Sequence, residues 1–169
     1  MHSKQCDPIE VVLWPGEHFV GDARHRICTL LGSCVSITLW HPKYRIGAMS
    51  HFLLPSRRGD PRGELDGRYG EEVMSIMLAK LAAVQVNPAE CVSKIFGGGN
   101  MFPSHGLNDA RKVGIKNGEA ARALLRAHRI PIVSESLFGN GHRRIIFDVC
   151  TGDVWARQID IVGLPVGPN

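Results

Sequence analysis

The sequence predicts an α+β fold: packed mixed and antiparallel β-sheets with two or three outer helices. Three observations carry this expectation. Val35, Ile37 and Leu39 alternate with Ser36, Thr38 and Trp40 at the period of two that marks a half-buried strand, and other short apolar runs bounded by turns recur along the chain. Clear helical spacing is confined to two stretches, residues 68–84 and 118–128. The coarse order is several strands, helix, strand, helix, strands, with hairpins dominating, which favours α+β over a doubly wound parallel sheet.

The 169 residues are 44% hydrophobic and 21% charged, which suits one globular domain spanning 1–169, with residues 1–8 and 160–169 as loose tails. A net charge of +4 is too dispersed to indicate nucleic acid, and few aromatics interleave with the basic residues. No apolar leader opens the chain, and no apolar run reaches the ~18 residues of a membrane span. The five cysteines are widely spaced and form no CxxC, which reads as reduced thiols in a cytoplasm. The eight histidines form no HExxH pattern, so no metal site is expected.

In chain order, residues 10–14 read as a short strand, Pro15-Gly16-Glu17 as a turn and residues 18–20 as a returning strand. Residues 27–31 lead into Gly32. The strand at 35–40 and the run at 46–54 are separated by His41-Pro42-Lys43-Tyr44 and form a predicted hairpin. The polar stretch 56–64 reads as a surface loop, and its Arg57, Arg58 and Arg62 are candidates for docking on an acidic helix. The helix at 68–84 has Asp66 as its expected cap, Glu71 and Glu72 in its first turn, and Met74 and Met77 as core packing. A strand at 92–96 runs into Gly97-Gly98-Gly99-Asn100. No Gly-Lys-[Ser/Thr] follows, so this is not a nucleotide loop, and a turn packed beside a catalytic site is the better functional reading. Asn117 is the expected cap of the helix at 118–128. A strand starts at 130–134, and Thr151-Gly152-Asp153 joins a final hairpin.

The chemistry concentrates around Cys34. With a loop at 41–44, Trp40 opposes Arg45 and Cys34 lies opposite His51. Opposed residues share a face, so thiol and imidazole can act as nucleophile and base, provided the register is not off by one. On spacing alone, a buried structural cysteine and a hairpin histidine account for the pair as well. Thr29, five residues before Cys34, can orient an imidazole if the backbone turns at Gly32-Ser33, or can be a plain strand residue.

Residues 29–35 (Thr-Leu-Leu-Gly-Ser-Cys-Val), 46–55 (Ile-Gly-Ala-Met-Ser-His-Phe-Leu-Leu-Pro) and 94–102 (Lys-Ile-Phe-Gly-Gly-Gly-Asn-Met-Phe) together resemble the CheD family of chemoreceptor glutamine deamidases. Pro15-Gly16-Glu17, Gly114 with Asn117, and the last hairpin resemble it too. The resemblance implies a core similar to that of the deamidating toxins of the cytotoxic necrotizing factor type. It implies Cys34 as nucleophile, His51 as general base and Thr29 as third member of the site. Gly32, Ser33, Gly98, Gly99 and Asn100 would shape the site or supply oxyanion donors. Some members carry one more residue between the threonine and the cysteine, and Phe138 stands where members usually carry a glycine. The implied substrates are glutamines of methyl-accepting chemotaxis receptors, and the reaction calls for no cofactor. The cysteine usage points to a cytoplasmic protein, and a monomer is expected because nothing in the chain resembles an obligate interface. The alternative is a regulatory module that binds receptors or a CheC-type phosphatase with little catalysis of its own.

Overall fold

A computed structural model describes residues 7–60, 63–103 and 109–159. Residues 1–6 of the expected tail at 1–8, the expected tail at 160–169, and Arg62 of the basic loop lie outside the described residues. Nine strands run β1 (Ile9–Val12), β2 (His18–Gly21), β3 (His25–Leu31), β4 (Val35–His41), β5 (Ile46–Ser50), β6 (Val92–Gly97), β7 (Ile132–Leu137), β8 (His142–Asp148) and β9 (Val154–Ile159). Helix α1 (Gly70–Ala83) and helix α2 (Asp109–Ala127) flank β6, and a 3₁₀ turn occupies Pro88–Glu90.

The strands form two sheets. The first has the order β1-β3-β8-β9 and the second β2-β5-β4-β6-β7. Each is mixed, with one parallel pair: β1 with β3, and β6 with β7. The α+β expectation therefore holds, with two α-helices among the described residues.

The second sheet is the middle layer. Val35, Ile37 and Leu39 of β4 point to the helices and pack with Met74, Met77, Leu81, Ala121 and Leu125. Its other face meets the first sheet, where Met49 and Phe96 pack on Ile27, Leu31, Ile145 and Phe147. Strand β4 is therefore buried on both faces, not half-buried as its alternation suggested. Its polar residues are satisfied in place: Ser36 Oγ donates to the Ser50 carbonyl at 2.5 Å.

The β4–β5 hairpin differs from expectation by two residues. His41 pairs with Ile46, Trp40 with Gly47 and Thr38 with Met49, so the loop is 42–45. His41 holds this turn: its Nδ1 accepts from the Tyr44 N–H at 3.2 Å and its ring stacks on Tyr44. A slip of two keeps each side chain on its face, whereas a slip of one would have reversed them.

Both helix starts also differ. Asp66 does not cap α1; it accepts from the Arg68 N–H and side chain. The N-cap position is Tyr69, without a side-chain cap. Glu72, nearly buried, reaches back instead to the Asp66 N–H at 2.6 Å and pairs with Arg57. Arg57 is thus a structural clamp on the loop, which leaves Arg58 as its exposed described arginine. Helix α2 begins at Asp109, so Asn117 lies in its middle and caps nothing.

Candidate active site

The turn between β3 and β4 carries Gly32, Ser33 and Cys34. Its three consecutive carbonyls are each fixed. Gly99 N–H donates to Gly32 O at 2.8 Å, Gly98 N–H to Cys34 O at 2.9 Å, and Asn117 Nδ2 to Ser33 O at 3.0 Å. The glycine loop is therefore packed beside the Cys34 turn, but the Gly98 and Gly99 N–H groups are spent on holding it and are not free for an oxyanion. Asn100 works farther out. Its N–H bonds Gly139 O, its carbonyl accepts from Gly141, and its Oδ1 accepts from the Phe102 N–H.

This packing needs glycine at defined points. Gly97 has φ +115°, and a Cβ there would lie 2.2 Å from the Cys34 carbonyl. Gly114 sits inside α2, where a Cβ would lie 2.6 Å from Gly98 O. Alanine normally stabilises a helix interior relative to glycine by about 1 kcal/mol. At Gly114 the sign is expected to reverse, with Gly114→Ala destabilised by about 1–3 kcal/mol through overpacking. A lower thermal midpoint would bear this out, and a raised one would refute it.

Arg143 braces the same loop from β8. It is 5% exposed and donates to the carbonyls of Gly97, Ser136 and Phe138. Phe138, the position where a glycine was expected, holds a left-handed φ of 67° and stacks under Arg122. Arg143 was not legible as a site-supporting residue, and Asn117 was singled out only as a cap and in the family resemblance, because their partners are backbone carbonyls distant in sequence.

Cys34 packs on the face turned to the first sheet. Val35 and Phe52 exchange both backbone bonds, at 3.1 and 3.0 Å, which continues the β4–β5 register. Cys34 and His51 are then diagonal neighbours on one face rather than directly opposed. Such neighbours lie about 7–8 Å apart, within reach of an aromatic side chain. His51 is itself held by the Pro15-Gly16-Glu17 turn: Gly16 N–H donates to His51 O and His51 N–H to Glu17 O.

Thr29 reaches the site from the other sheet. It is buried, its Oγ1 donates to Leu13 O at 2.7 Å, and it lies 2.8 Å from His51 Nδ1. A hydroxyl has one proton, and it is committed to Leu13. Thr29 Oγ1 is therefore an acceptor toward the ring, which places a hydrogen on Nδ1 and leaves Nε2 with its lone pair. Leu13 O, Thr29 and His51 thus form a chain that orients the imidazole ring.

Burial sets the resting protonation. It lowers the His51 pKa to about 4, against smaller raising effects of the Leu13 carbonyl and Glu17. Burial also raises the Cys34 thiol, partly offset by that residue's own N–H. Thiol and imidazole are then both neutral near pH 7. Among the described residues no group of three or more His, Cys, Asp or Glu is placed to hold a metal.

A thiol that shares a face with an oriented neutral imidazole, between two packed sheets, is an arrangement suited to nucleophilic thiol chemistry on carbonyl carbon. Comparison with known proteins narrows the class. The family model described as CheD chemotactic sensory transduction matches residues 53–158. A protein of Albidiferax ferrireducens named probable chemoreceptor glutamine deamidase CheD 2 is 55% identical over 98% of this chain and 96% of its own length. The probable chemoreceptor glutamine deamidase CheD 3 of Dechloromonas aromatica is 45% identical over 86% of this chain and 85% of its own. The corresponding protein of Pseudomonas savastanoi pv. phaseolicola is 46% identical over 88% and 84%. The chain belongs to the CheD family. No helix among the described residues is long and apolar enough to cross a membrane.

Proposed function

We propose that this chain hydrolyses glutamine side chains of methyl-accepting chemotaxis receptors to glutamate and ammonia, with Cys34 as nucleophile and His51 as general base. The observation that carries the reading is the Leu13–Thr29–His51 chain, which leaves Nε2 as the basic nitrogen on the face that Cys34 shares. The names of the relatives supply the substrate class.

Cys34 Sγ attacks the carboxamide carbon while His51 Nε2 takes the thiol proton. The oxyanion is stabilised by backbone N–H at the Cys34 turn, a contribution worth about 10²–10³ in rate per donor. Protonated His51 gives its proton to the departing amine, which leaves as ammonia, and a thioester remains. Water, deprotonated by the same nitrogen, then cleaves the thioester to glutamate and restores the thiol. Thr29 keeps Nδ1 protonated throughout.

The test is mass spectrometry of the cytoplasmic signalling domain of a chemoreceptor from the same organism. Each modified glutamine gains about 1 Da, the difference between amide and acid, with one ammonia released per site. A receptor domain left unchanged by the wild type would overturn the reading.

A further inference from the structure

We propose that Asn117, in the middle of α2, is a positioning residue that aims the Cys34 N–H at the oxyanion. The inference rests on the deamidase reading above and adds a residue to it.

Asn117 is fully buried, and its one amide nitrogen donates to two carbonyls, Ser33 O at 3.0 Å and Leu53 O at 2.7 Å. The first belongs to the residue before Cys34, the second to the residue two after His51. One side chain therefore ties together the two segments that carry the nucleophile and the base. Its Oδ1 is buried and has no partner among the described residues. An unmatched buried acceptor is unfavourable, so the position is not accounted for by packing, which an apolar residue of similar size would serve.

The geometry of the peptide bond gives the consequence. Ser33 C=O and Cys34 N–H belong to one planar trans unit and point in opposite directions. Fixing Ser33 O against α2 turns the Cys34 N–H away from the helix. Among the described residues that N–H meets no acceptor but its own sulfur. A donor beside the attacking sulfur is where the carbonyl oxygen of the substrate arrives. The Gly98 and Gly99 donors are already engaged, which leaves the Cys34 N–H as the donor adjoining the thiol. Close seating of α2 makes the arrangement possible, since Gly114 lets the helix touch the glycine loop.

The test compares the full-length wild type with Asn117→Ala and Asn117→Asp on the receptor domain, measuring kcat and KM by ammonia release. Alkylation of Cys34 by iodoacetamide is followed in parallel, because that displacement forms no oxyanion. In Asn117→Ala, kcat is expected to fall about 100-fold with KM and alkylation unchanged. In Asn117→Asp, an ionised carboxylate cannot donate to Ser33 O, whereas the protonated acid can donate to one carbonyl. Its buried pKa is raised, so its activity is expected to fall as pH rises between roughly 5 and 9, while that of the wild type stays flat.

Unchanged kcat in Asn117→Ala, a parallel fall of alkylation and deamidation in both variants, or an Asn117→Asp profile with the shape of the wild type would each overturn the proposal. If Asn117→Ala does not fold, the Asn117→Asp profile decides. An inactive wild type would sink the deamidase reading and this proposal with it. An active wild type with unaffected variants would sink only the proposal.

Discussion

Cys34→Ala is expected to abolish deamidation while leaving the fold intact, because the thiol is partly exposed at the edge of its cluster and the backbone of its turn is held by other residues. His51→Gln is expected to lower kcat/KM by about 10²–10⁴-fold near neutral pH, the usual contribution of a positioned base. The shape of the loss is as informative as its size. In the wild type both groups are neutral across a wide range, bounded below by His51 near pH 4 and above by the raised thiol, so kcat/KM should be flat between these limits. Without the imidazole the reaction depends on free thiolate, whose fraction rises tenfold per pH unit below the thiol pKa. His51→Gln should therefore rise with pH where the wild type is level. A wild-type rate that climbs in step with the variant would show that His51 is not the base.

Acid should destabilise the protein through the same histidine. His51 has a pKa of about 4 when folded and the ordinary 6.5 when unfolded, so the unfolded chain binds more protons between those values. Stability from this group is complete above about pH 6.5, is lost as pH falls toward 4, and changes no further below that. At 1.36 kcal/mol per pKa unit the loss approaches about 3 kcal/mol. His18 acts in the same direction. Burial and Lys80 lower its pKa, and both its ring nitrogens are buried without partners among the described residues. The carboxylates act lower: Asp66 is held to about 2 by Arg68, so its contribution is lost only below about pH 4. Urea denaturation at pH 7 and pH 4.5 should show the drop in the wild type and a smaller one in His51→Gln. Equal drops in the two would assign the acid sensitivity elsewhere.

The fold was largely legible because its elements are local. The strand at β4, the returning run at β5, the helix at α1 and the last hairpin all follow from periods and turn residues that neighbours in sequence define. The errors fell where local signals were overruled. Asp66 looked like a cap, but its carboxylate is taken by Arg68, and Glu72 reaches back across six residues to its N–H. Asn117 looked like a helix start, but α2 begins eight residues ahead of it, with Gly114 seating the helix against the glycine loop. Arg57 was read only as part of a docking loop, whereas it also pairs with Glu72, a partner fifteen residues away.

The sequence by itself determined that Cys34 and His51 share a face. A period of two preserves that face even when the register is misjudged by two residues. Tertiary structure decided the rest. Thr29 meets His51 only because two sheets pack face to face, and that contact fixes the tautomer. The low pKa of His51 and the raised one of Cys34 come from burial between those sheets. The hold on the Cys34 turn comes from the glycine loop and Asn117, which bond backbone carbonyls. A carbonyl is the same at every position of a chain, so no pattern of side chains announces which one a distant donor will find.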